Sequence, residues 1–134
     1  MNYQQIFEPG EIGQCKLKNR IIMAPMGNIN MADPIGRPLC KMIEYFVERA
    51  RGGTGLLITG LVPISFGIDP TVSEDNDTTY FPRIDASSRT RMSGWRDLVA
   101  GVHSYDAKIF IQLTAGLGRV GSPEAALKGK ILKS

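Results

Sequence analysis

Hydrophobic residues recur along this chain in two alternating rhythms. Ile21, Ile22 and Met23 form a short apolar run without helical spacing, and Gly55-Leu-Leu-Ile-Thr-Gly60 and Lys108-Ile-Phe-Ile-Gln-Leu113 are two more. Runs this short, bounded by glycine, proline or charge, predict strands, the first two of them buried. Pro25 lacks a backbone donor and drives Ala24 into extended backbone, so the first strand must stop there. Between the first and second runs, Leu39, Met42, Ile43, Phe46, Val47 and Ala50 fall at i, i+3, i+4, i+7, i+8 and i+11, the spacing of one helical face. Pro38 is placed to open that helix, and Gly52-Gly53 ends it behind a basic last turn. Between the second and third runs, Met92, Trp95, Leu98, Val99 and Val102 share a face of a second helix, capped by Ser87 or Ser88 and weakened by Gly94 and Gly101.

The order strand, helix, strand, helix, strand predicts parallel strands joined by right-handed crossovers. The fold class is therefore α/β, either a doubly wound sheet or part of a (β/α)8 barrel. Ahead of it, Pro9-Gly10 and Gly13 punctuate short apolar pieces (Ile6-Phe7, Ile12, Cys15, Leu17), which predicts a hairpin or lid over residues 1–16 before the β/α units of 17–134. The stretch from Leu61 to Ala86 contains Pro63, Pro70, Pro82 and the acidic run Glu74-Asp75-Asn76-Asp77. A connection of that length carries function or mobility, and its acidic run, lacking the spacing of a calcium loop, reads as a solvated turn.

Composition narrows the function classes. With 43% hydrophobic and 22% charged residues in 134, the chain is an ordinary globule with one core, not a disordered segment. The net charge of +3 is mild, and Lys128, Lys130 and Lys133 at the tail read as solvated surface, so neither nucleic acid nor membrane is expected as a partner. Cys15 and Cys40 are isolated, which supports neither a metal site nor a disulfide framework and fits a reducing compartment. With no basic-then-apolar leader and no membrane-length apolar run, a cytoplasmic protein is the expectation.

Two constellations offer chemistry. Gly116-Leu-Gly118-Arg-Val-Gly121 has the spacing of a dinucleotide-binding turn, but Thr114 and Ala115 separate it from the strand and Pro123 falls inside the helix that should follow, so a glycine loop is the better reading. His103, at the end of the second helix, is placed as a histidine against terminal carbonyls. The stronger constellation is distributed: Ala24-Pro25-Met26-Gly27, Thr59-Gly60 and Gln112 stand at the carboxyl ends of the three strands, where α/β proteins collect ligands. A planar heterocycle needs small residues for close backbone approach, backbone N–H groups and an amide that both donates and accepts. Ala24, Gly27 and Gly60 meet the first two needs, Gln112 the third.

The motifs K-N-R-I-I-M-A-P-M (Lys18 to Met26), G-L-L-I-T-G (Gly55 to Gly60), G-W-R-x-L-V-x-x-V-H (Gly94 to His103) and K-I-F-I-Q-L (Lys108 to Leu113) occur in that order. Together they resemble the start of Old Yellow Enzyme-like NADH:flavin oxidoreductases, and within them the 2-enoate and 2,4-dienoyl-CoA reductase branch. The resemblance implies the N-terminal part of a (β/α)8 TIM barrel, about three β/α units preceded by a short hairpin, with FMN at the carboxyl face. It places Ala24, Pro25, Met26 and Gly27 along one side of the flavin, Gly60 beside the ring and Gln112 on the pyrimidine edge. It implies an ene-reductase that takes hydride from NADH or NADPH onto FMN and delivers it to the β-carbon of a small enone or enoate.

There are two departures. Where family members often carry Q-L-x-H-x-G-R, this chain reads Q-L-T-A-G-L-G-R, without the histidine and with Arg119 one place further on. The family's substrate-anchoring His/Asn pair, proton-donor tyrosine and phosphate-binding loops belong to later strands, so no catalytic residue is assigned here. The cysteine cluster that binds iron–sulfur in longer members has no counterpart. The expectation is an N-terminal fragment inactive alone, able to form a homo-oligomer through open sheet edges. The alternative is a non-catalytic remnant or assembly module that uses those edges.

Overall fold

The structure, a computed structural model, describes residues 3–63, 82–84 and 88–114. The glycine motif at 116–121, Arg119, the tail lysines, the acidic run at 74–77 and Ser87 lie outside the described residues. After a short 3-10 helix at Gln4–Phe7, β1 (Gly10–Ile12) and β2 (Cys15–Leu17) form an antiparallel hairpin. Its turn passes through Gly13, whose φ of 57° lies in the left-handed region that glycine tolerates. Then follow β3 (Ile22–Met23), α1 (Cys40–Arg51), β4 (Leu56–Pro63), α2 (Arg89–His103) and β5 (Lys108–Thr114). The three later strands are parallel, in the spatial order β3, β4, β5, with a helix in each crossover.

The core lies between sheet and helices. Met42, Phe46 and Ala50 of α1, Leu57 and Val62 of β4, and Trp95, Leu98 and Val102 of α2 are buried in one cluster. These are the apolar positions that the helical spacing puts on one face, and their removal from water is the main force holding the layers together. Trp95 also donates its indole N–H to the Arg83 carbonyl at 2.7 Å, so its polar edge is satisfied inside the core.

Three details differ from the pattern read along the chain, and one of its two alternatives, the Ser88 cap, is the one found. α1 begins at Cys40, past Pro38, because Leu39 is extended, donates its N–H to the Met31 carbonyl at 2.9 Å and serves as the helix N-cap. Ser88 is the cap of α2, accepting the Arg91 N–H at 3.4 Å. Gly94 and Gly101, costly to helix propensity, permit close approach: a Cβ on Gly94 would stand 2.7 Å from the Pro38 carbonyl oxygen, and one on Gly101 2.7 Å from a Val47 methyl. Finally, β3 is not buried on both faces. Among the described residues it pairs with β4 alone, and Ile22 is 45% exposed.

Candidate functional site

Three parallel strands point their carboxyl ends the same way, and the site residues follow from that register. Met23 of β3 lies opposite Leu57, Ile58 of β4 opposite Phe110, and Leu61 opposite Gln112. Between the last two pairs, Thr59 and Gly60 face a single residue of β5, so β4 carries a bulge at the point where the sequence reads T-G. The bulge removes one ladder bond, and a side chain replaces it: the Gln112 N–H donates to Thr59 Oγ1 at 3.3 Å, and that hydroxyl donates to the Gly60 carbonyl at 3.0 Å.

Gly60 is buried because the chain leaving β3 crosses directly over it. A Cβ built there would overlap the Met26 carbonyl and come within 2.9 Å of Gly27 Cα. No residue but glycine fits this crossing. Gly60 donates its N–H to the buried Asn28 side-chain oxygen at 2.8 Å. Expected to offer open backbone and a free N–H, Gly60 is instead covered by Met26-Gly27, and its donor is taken by Asn28. Ala24, Pro25, Met26 and Gly27 are all exposed, and so is Gln112, whose side-chain amide makes no hydrogen bond among the described residues. The structure thus joins Met26-Gly27, Thr59-Gly60 and Gln112 across neighbouring strands at one end of the sheet. Asn28 is the residue that the linear pattern missed. Its role depends on a contact 32 residues away and leaves no local signature.

The loop between β3 and α1 is braced beneath this surface. The Asp33 carboxylate accepts the N–H groups of Ile35 and Arg37 at 3.1 and 2.9 Å and pairs with the Arg37 guanidinium at 3.1 Å. Arg91 of α2 donates to the Ile35 carbonyl at 2.7 Å, and the Arg83 side chain packs on Gly36, whose φ is 85°. His103 is exposed at the end of α2, just ahead of the start of β5, whereas Gln112 lies near the carboxyl end of that strand. Cys15 and Cys40 are free thiols, and no group of three or more His, Cys, Asp or Glu that could hold a metal occurs among the described residues. No helix among them is long and apolar enough to cross a membrane.

Residues 5–126 match the model of the NADH:flavin oxidoreductase / NADH oxidase family. The chain belongs to that family. Within it, the chain is 35% identical over 129 residues to a cinnamate reductase of Clostridium sporogenes, covering 96% of this chain and 18% of that protein. It is likewise 35% identical to an NADH oxidase of Thermoanaerobacter brockii, covering 84% of this chain and 16% of the other. Among solved structures it is similar to the old yellow enzyme of Trypanosoma cruzi, with a TM-score of 0.70 and 30% identity over 94% of this chain and 30% of that one. It is similar also to morphinone reductase crystallised with tetrahydroNAD, with a TM-score of 0.65 and 31% identity. The chain therefore spans less than a fifth of these curated relatives and about three-tenths of the solved enzyme. The parallel β/α order with its hairpin in front is the N-terminal part of the family's TIM barrel.

Proposed function

We propose that this chain forms one wall of an FMN site in an ene-reductase that moves hydride from NADH or NADPH to an activated C=C bond of a small enone or enoate. The observation that carries the reading is the exposed amide of Gln112, which makes no hydrogen bond among the described residues, at the same sheet end as the exposed residues Ala24–Gly27 and the glycine crossing at Gly60. That donor set suits a planar heterocycle. The amide both gives and takes a hydrogen bond at a pyrimidine edge, and the small residues let the ring lie against backbone. Bound there, FMN would supply the two-electron exchange between nicotinamide and acceptor. The chain's own residues orient: Gln112 fixes the in-plane direction, Ala24 to Gly27 line one side, and the apolar Met26 side chain, 58% exposed, excludes water beside them.

The 134-residue chain by itself is read as inactive. Its sheet presents β3 and β5 each paired on one side only among the described residues, and Ile22 and Phe110 exposed on its surface. Those features support association, with further copies or with the complementary strands of a barrel. Titration of the purified chain with FMN, followed by flavin fluorescence, tests the site. Weak saturable quenching without NADH-dependent enone reduction is the expected result. No quenching at millimolar FMN would refute the flavin reading, and stoichiometric binding with turnover would refute the inactivity. Light scattering tests association, which a monodisperse monomer would contradict.

A further inference from the structure

Asn28 is buried to 1% exposure, yet it is a polar residue in a loop, and both ends of its amide are engaged. Its Oδ1 accepts the Gly60 N–H at 2.8 Å, and its Nδ2 lies 3.8 Å from the Met31 sulfur. Gly60 sits in the bulge of β4, where register with β5 is lost and no ladder partner replaces this bond. On the other side of Gly60 the Met26 carbonyl and Gly27 Cα are in van der Waals contact range of its Cα face. The Asn28 side chain therefore reaches around the crossing and ties the bulge to the loop that covers it.

From this geometry we infer that Asn28 is a positioning residue: by holding the Gly60 amide it locks the β4 bulge against Met26-Gly27, so that the two present one rigid wall to a planar heterocycle. A buried amide left without its acceptor is costly, so the bulge and the loop separate when Asn28 loses its oxygen. The wall then pays an ordering penalty whenever a ligand binds, which weakens affinity without removing any group that touches the ligand. The inference rests on the flavin-site reading for the identity of that ligand. The lock itself is a property of the unliganded chain.

The test has two independent readouts on the full 134-residue chain. Amide hydrogen exchange without ligand is measured for wild type, Asn28→Ala and Asn28→Asp, the last keeping an oxygen acceptor at the same reach. Protection of the Gly60 amide is expected to fall by about tenfold or more in Asn28→Ala, while Leu57 and Val62 keep theirs, and to survive within about threefold in Asn28→Asp. FMN affinity, by fluorescence, is expected to fall about tenfold in Asn28→Ala. Unchanged Gly60 protection would overturn the inference, as would a parallel loss at Leu57 and Val62, which marks general destabilisation. If Asn28→Ala does not fold, loss of Gly60 protection in a folded Asn28→Asp overturns it and retention supports it. A wild-type chain that ignores FMN refutes the flavin reading, and the exchange data then decide the lock alone.

Discussion

The two ends of the parallel sheet are built on opposite plans, although the single stretch from Leu17 to Gly27 runs through both. At the amino-terminal end, side chains saturate the backbone around them. Lys18 donates to the Tyr105 carbonyl at 2.6 Å and to the Ala50 carbonyl at 3.5 Å, placing its cation at the last turn of α1 and the turn after α2, where helix dipoles favour positive charge. Asn19 donates to the Gly53 carbonyl at 2.7 Å and accepts the Ile21 N–H at 3.1 Å. Gly55, in contact with Asn19, bonds to Ile21 at 3.0 Å and accepts from Lys108 at 2.9 Å. Five residues after Asn19, at the carboxyl end, Ala24 to Gly27 are exposed and the Gln112 amide makes no hydrogen bond among the described residues. A barrel fold puts stability at one end and leaves polar groups available at the other, which is the division seen here.

The comparison can be broken most forcefully at two glycines of the central strand, Gly55 just ahead of it and Gly60 in its bulge. Gly55→Ala would bring a methyl within 2.5 Å of Asn19 Oδ1, and Gly60→Ala would drive one into the Met26 carbonyl. Each is expected to cost about 1–3 kcal/mol or more by denaturant unfolding, as overpacking does. Only Gly60→Ala should also reduce the FMN affinity of the folded fraction. Equal loss in both would erase the distinction between the ends.

Smaller effects sharpen it. Asn19→Ala strands the Gly53 carbonyl and the Ile21 N–H, and a loss of about 1–3 kcal/mol in urea unfolding is expected, with FMN affinity within about twofold of wild type. Gln112→Ala should reverse that pattern. Stability should stay within about 0.5 kcal/mol because the exposed amide makes no hydrogen bond among the described residues. FMN affinity should fall about fivefold to tenfold, the worth of one or two hydrogen bonds, read as a shifted fluorescence titration.

What could be read from the residues was whatever is periodic or local. The α1 face from Met42 to Ala50 is a helical repeat, and the buried members are those the spacing selects. The ending of β3 is local as well, because Pro25 acts on its own neighbours, whereas β4 runs past Gly60 to Pro63 and β5 past Gln112 to Thr114; their register brings Ala24–Gly27, Gly60 and Gln112 toward one end. The rest depends on contacts between distant segments. Neither the bulge at Thr59-Gly60 nor the Asn28 bond that holds it follows from a local pattern. Gly94 and Gly101 read as weak points in a helix until Pro38 and Val47 are brought against them. The exposure of Ile22 is equally non-local, since it is set by which neighbours β3 has.

A second concave surface gives the decisive measurement its contrast. A groove of about 590 Å³ lies beside the hairpin, lined by residues including Glu11, Ile12, Lys16, Arg20 and Ile22, on the amino-terminal side of the sheet. Titrating FMN into the isotopically labelled chain and following backbone amide resonances asks which end the flavin uses. The account predicts shifts at Met26, Gly27, Gly60 and Gln112, with Glu11, Lys16, Lys18, Asn19 and Gly55 unmoved. Shifts confined to Glu11, Lys16 and Arg20, or none at the carboxyl end at saturating FMN, would contradict it.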